Sequence, residues 1–110
     1  MSSNDIKIDL QDFQTILSKI GKIAGFVKVF NIDELNSETV SEFSNEIENA
    51  KGILVEFEIL PTVSLFVINE FMSFINDYAK SDCEIIFGVN TNENMLENKV
   101  KCKILFTGLV

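Results

Sequence analysis

Residues 50–71 read A-K-G-I-L-V-E-F-E-I-L-P-T-V-S-L-F-V-I-N-E-F, and a change of period inside this stretch decides the fold. Gly52 to Glu58 is β-branched and aromatic, with Glu56 and Glu58 alternating against Val55 and Phe57. That pattern predicts a strand with the two carboxylates facing solvent. Pro61 breaks the strand and starts a turn. From Val63 to Ala79 the period becomes helical: Leu65, Ile68, Met72 and Ile75 form one row, and Val67, Phe71, Phe74 and Tyr78 an adjacent one. So wide an apolar face belongs against a sheet.

Downstream, Cys83–Val89 and Val100–Phe106 read as two further strands, with N-T-N-E-N-M-L-E-N as the loop between them. Upstream, Asp9–Ile20 predicts a helix with an apolar stripe at Leu10, Phe13, Ile16, Leu17 and Ile20. Asp9 suits its N-cap, Asp12 the third helical position and Gly21 its stop. A strand follows over about 24–30. A helix over 36–49 comes next, with Val40, Phe43 and Ile47 inward and an acidic outer face that reads as solvated. The helix at 63–79 should join parallel strands by a crossover, and the last two strands should be antiparallel neighbours. The expectation is one α+β domain over 1–110: a two-layer sandwich, a four-stranded mixed sheet carrying about three helices.

Composition narrows the function. Of 110 residues 46% are hydrophobic and 10 are Phe, with no Trp, so a Phe-rich core is available. The formal charge is −8 and every basic residue is Lys. That balance argues against nucleic acid, whose affinity rests on phosphate neutralisation, and against an anionic membrane surface. The chain has no His, which removes the commonest neutral-pH base and metal ligand. Cys83 and Cys102 are too few and too far apart for a zinc motif or a disulfide framework and read as buried thiols. Lys101 and Lys103 could activate Cys102, but neighbours in a strand point to opposite faces. Glu56 and Glu58 could pair as acid and base, but exposed strand residues account for them as well. The N-terminus has no apolar signal core, and no apolar run is long enough to cross a bilayer. A cytoplasmic protein is expected.

The segments A-K-G-I-L-V, S-L-F-V-I-N-E, I-I-F-G and T-G-L, in this order from Ala50 to Leu109, resemble the C-terminal domain of the FtsZ family, the bacterial relatives of tubulin. N-D-I-K-I-D-L-Q-D-F-Q-T-I-L at 4–17 resembles that family's acidic synergy loop, at 4–12 here, and the helix after it. Asp9 and Asp12 fall on its two acidic positions, Thr15 on its Thr, and Lys7 where the family has Asn. Further departures are Ile59-Leu60 for Gly-Gly, Thr62 for Asp, and the loss of M-G-x-G in 22–35.

The resemblance implies a C-terminal activation and polymerisation domain of a cell-division GTPase, at the division ring. Its partner would be an FtsZ-type nucleotide-binding domain or filament. In such a filament one subunit binds GTP and Mg²⁺, and the next presents the acidic loop to the attacking water. Phosphoryl transfer of this kind is mostly positioning and electrostatics. Asp9 and Asp12 would act in trans, Asp12 on the water, while Lys7 alters the local field. The family's Gly-rich phosphate loop is absent: the five Gly stand apart at 21, 25, 52, 88 and 108. The chain should therefore bind no GTP and be no enzyme alone. Read without the resemblance, D-x-x-D ahead of an apolar helix is a cap, each Asp contributing about 0.5–1 kcal/mol. Two other functions remain open. One is a diverged FtsZ-like interaction module without a GTPase or polymer role. The other is a small α+β regulatory module that dimerises through its sheet and binds a metabolite.

Overall fold

The computed structural model describes residues 6–110. The elements are α1 (Leu10–Leu17), β1 (Lys22–Asn31), a 3-10 turn (Ile32–Glu34), α2 (Ser37–Ser41), α3 (Ser44–Asn49), β2 (Gly52–Ile59), α4 (Leu65–Tyr78), β3 (Glu84–Thr91) and β4 (Lys99–Leu109). The four strands form one mixed sheet in the order β1-β4-β2-β3. β2 and β3 are parallel, as the crossover through α4 requires. β4 runs antiparallel to both β1 and β2. The α+β class and the four-stranded mixed sheet are as the sequence predicts.

One expected pairing is corrected. β3 and β4 are not neighbours, because β4 passes beyond β2 and inserts between β2 and β1. Two cross-strand pairs favour that register: Glu56 stands opposite Lys103 and Glu58 opposite Lys101. Opposite charges across a sheet stabilise, and like charges would not.

Alternation divides the sheet into two faces. Ile53, Val55, Phe57 and Ile59 of β2, with Val100, Cys102, Ile104 and Phe106 of β4, point to the main core. α4 covers that face with Ile68, Phe71, Met72 and Ile75 buried. Its N-terminus is capped by the Ser64 hydroxyl, which accepts the Phe66 N–H at 3.1 Å. Phe71 sits between two rings, 5.9 Å from Phe57 edge-on and 6.4 Å from Phe30.

The helix expected over 36–49 is two helices, broken where Phe43 takes φ −109° and ψ 13°. The break turns the Phe43 ring onto Phe26, stacked at 4.6 Å. Val40 and Ile47 stay buried.

α1 lies across the other face, against β2. It is shorter than expected, and only Ile16 of its stripe is buried. Leu10 and Leu17 are exposed within the helix, and Ile20 is exposed beyond it because the helix ends before Ser18. The Thr107 hydroxyl fastens α1 by donating to the Ile16 carbonyl at 2.7 Å. Gly52 leaves the room for it: a Cβ there would lie 2.5 Å from Thr107 Oγ1. Lys19 adds an ion pair to Glu84 at 3.2 Å.

Cys83 is half-buried in the turn ahead of β3 rather than inside the strand, whereas Cys102 is fully buried. Burial pushes the Cys102 thiol from 9.0 up to about 12. The unfolded thiol ionises near 9.0 while the folded one holds its proton. The stability from Cys102 is therefore complete below pH 9 and lost as pH rises toward 12. Urea titrations should show a steeper alkaline loss in the parent than in Cys102→Val; equal slopes would contradict a buried, neutral thiol.

Candidate functional site

The acidic segment is built onto the sheet from below. Ile6 forms an antiparallel bridge with Val89, its N–H donating to the Val89 carbonyl at 2.8 Å and its carbonyl accepting the Val89 N–H at 2.8 Å. Ile8 then crosses Gly88 so closely that a Cβ there would lie 2.6 Å from Ile8 Cγ1 and 2.8 Å from the Ile6 carbonyl oxygen. Only glycine allows this approach. Residues 6–8 thus leave β3 in a set direction and deliver the chain to the start of α1. The part of the expected loop at 4–5 lies outside the described residues.

Asp9 and Asp12 close a reciprocal capping box. Asp9 Oδ1 accepts the Asp12 N–H at 2.9 Å, and Asp12 Oδ2 accepts the Asp9 N–H at 3.1 Å. The box satisfies free donors at the helix end and aligns both negative charges with the positive end of the helix dipole. It also fixes both carboxylates while leaving the second oxygen of each outside the box. Asp9 is exposed and Asp12 half-exposed. Lys7 is exposed on the same segment, and Thr15 is half-buried one turn into α1.

Glu56 and Glu58 belong to a different place. They are half-buried on the face that α1 shares, opposite Lys103 and Lys101, and Glu58 accepts a 3.0 Å hydrogen bond from Asn92. This is a cross-strand charge ladder, not an acid–base pair. Among the described residues no three His, Cys, Asp or Glu gather to hold a metal ion. The glycines do not form a phosphate cradle: Gly52 is spent against Thr107 and Gly88 against Ile8. Sequence reasoning missed Gly88 and Thr107, whose roles depend on contacts far along the chain. No helix among the described residues is long and apolar enough to cross a membrane.

Replacing Gly88 by Ala should push residues 6–8 off β3. We expect a stability loss of about 1–3 kcal/mol and faster hydrogen exchange at the Ile6 and Val89 amides. Unchanged exchange would show that the bridge does not depend on the close approach.

A mixed sheet in the order β1-β4-β2-β3 with a parallel β2-α4-β3 crossover is a fold this chain shares with solved FtsZ structures. The chain belongs to the FtsZ family: the family profile described as "FtsZ family, C-terminal domain" matches residues 33–110. The cell division protein FtsZ of Neisseria meningitidis (strain MC58) is 28% identical over 115 residues, covering 97% of this chain and 29% of that protein. Its counterpart in Helicobacter pylori (strain J99) is 37% identical over 62 residues, covering 56% of this chain and 16% of that protein. Among solved structures, an empty FtsZ dimer from M. jannaschii superposes with a TM-score of 0.73 at 23% identity, over 94% of this chain and 32% of that one. CetZ1 from Haloferax volcanii superposes at 0.65 and 16% identity, over 94% of this chain and 34% of that one. These structures share the fold. The chain spans less than a third of the length of the curated relatives it matches.

Proposed function

We propose that this domain works in cell division by docking on the nucleotide-bearing part of an FtsZ-type partner and supplying Asp9 and Asp12 to its GTPase site. The supporting observation is the reciprocal capping box, which holds both carboxylates rigidly at an accessible helix end. A pre-positioned carboxylate can accept a proton from, and so orient, an attacking water. Asp12 takes that role and Asp9 holds it in place. GTP and Mg²⁺, held by the partner, supply the reacting phosphate and its charge neutralisation. Lys7 lies two residues before the box and sets the local field. On this reading the domain turns over no GTP alone and localises to the cytoplasm and the division ring.

The test is GTP hydrolysis by an FtsZ whose own acidic loop has been removed, with and without this chain. We expect hydrolysis to rise, and Asp12→Ala to cut the stimulation by about 100-fold or more. Asp12→Asn can still accept the Asp9 N–H, so it separates charge from capping: it should keep the helix and lose the stimulation. Binding without any rise in rate would overturn the catalytic role and leave an interaction module whose carboxylates are caps.

A further inference from the structure

The two edges of the sheet are not alike. The outer side of β3 carries the Ile6 bridge. The outer side of β1 carries no strand among the described residues, although β1 is ten residues long. Its hydrogen-bonding direction follows from one contact: the Ile32 N–H donates to the Asn98 carbonyl at 2.9 Å, toward β4. By alternation the even-numbered residues of β1 bond β4, and Gly25, Val27, Val29 and Asn31 turn their backbone groups outward. The Asn31 N–H is already taken by Glu34 Oε1 at 2.7 Å. Gly25, Val27 and Val29 are left as the open rungs.

Edge strands are normally guarded by a bulge, a proline or an outward lysine. Here the single irregularity falls between Lys22 and Ala24, ahead of the rungs, and the strand has no Pro. Lys28 is on the opposite face, its ammonium 5.2 Å from the centre of the Phe30 ring, and does not guard the edge. The side chains of Val27 and Val29 are 59% and 55% exposed. The charges at the two ends are opposite: Lys22 at the start, and Asp33 and Glu34 just past the end.

We propose that two copies of this chain join antiparallel along β1 across a two-fold axis at Val27, forming one continuous sheet. In that register Val27 bonds Val27 of the other copy and Gly25 bonds Val29. Lys22 faces Ile32, next to Asp33, so opposite charges meet at both ends. The exposed valines pack on one another. A two-fold interface uses the same patch on both copies, and this edge is complementary to itself.

Sedimentation of the chain from about 10 to about 500 µM covers dissociation constants in the micromolar to submillimolar range. We expect monomer to give way to dimer across that range. Val27→Pro removes an outward N–H that β4 does not use, a placement edge strands tolerate; it should keep the fold by circular dichroism and stay monomeric. In a Cys83→Ser background, Val27→Cys should form a covalent dimer under oxidised glutathione. Hydrogen-bonded antiparallel pairs bring Cα atoms to about 5.5 Å, within disulfide reach. This second variant decides the matter if the proline variant fails to fold. A monomer at every concentration overturns the proposal. So does a dimer that survives Val27→Pro or yields no Val27→Cys cross-link, because it must use another face. The proposed GTPase stimulation is read separately, since Asp9 and Asp12 follow the Ile6 bridge on β3, at the other edge of the sheet.

Discussion

Phe71→Ala is expected to cost about 3–5 kcal/mol, against a total of about 5–15 kcal/mol for a domain of this kind. Phe71 has no exposed surface and joins two aromatic partners from different strands, Phe30 of β1 and Phe57 of β2. Truncation removes the transfer energy of the ring and leaves a cavity that cannot collapse, because the rings facing it are fixed by the sheet. The midpoint of thermal unfolding should fall by about 12 °C or more. Phe71→Leu keeps most of the volume and should lose less than about 1.5 kcal/mol. A loss below about 1 kcal/mol for the alanine variant would mean that the α4–sheet layer is not the core.

Gly52→Val is expected to have a different and local consequence. Its first side-chain carbon would press on Thr107 Oγ1 at 2.5 Å, and Lys19 and Ile16 lie within 3.3 Å. Thr107 is the short side-chain donor to the Ile16 carbonyl, so pushing it aside removes that bond, at about 0.5–1.5 kcal/mol, and leaves the carbonyl the longer contact from the Lys19 N–H at 3.4 Å. The added branches cost about 1–3 kcal/mol more in overpacking. The main core lies on the other face of the sheet, so the damage should fall on α1. Hydrogen exchange should show α1 amides unprotected while β2 and β4 stay protected. Under the proposed function, stimulation of GTP hydrolysis should fall with α1. Uniform loss of protection would show that α1 and the sheet unfold as one unit.

Several parts of this structure were legible before any coordinates, each for a physical reason. The strand at 52–58 and the helix at 63–79 announce themselves because their periods differ sharply on either side of Pro61. The N-cap at Asp9 and the place of Asp12 in the first turn were legible because that chemistry is local, whereas the return bond from the Asp9 N–H to Asp12 emerged only in the structure. Strand order was not, since chain adjacency favoured β3 beside β4. The better signal was Glu56-Phe57-Glu58 against Lys101-Cys102-Lys103, two alternating charge patterns that fit only when β2 and β4 are neighbours. The break at Phe43 was also hidden, because it depends on the ring of Phe26 seventeen residues earlier in the chain. At the candidate site the Asp pair could be read from spacing. The need for glycine at 88 could not, since it arises where residues 6–8 cross β3.

The position of β4 also sets the order of assembly on the ribosome. Among the described residues β4 follows β1, β2 and β3 in the chain, yet it is an interior strand and the pairing through which β1 joins the sheet. A nascent chain that stops short of Lys99 holds only the β2-α4-β3 unit, with β1 and its Phe26 and Phe30 unpaired. Closing the sheet then means joining strands whose paired residues, from Asn31–Lys99 to Lys22–Leu109, lie 68 to 87 positions apart, the kind of non-local step that slows folding. Until it happens, β1 and one side of β2 are both open to other chains, which exposes the domain to aggregation while the eleven-residue β4 is still being made.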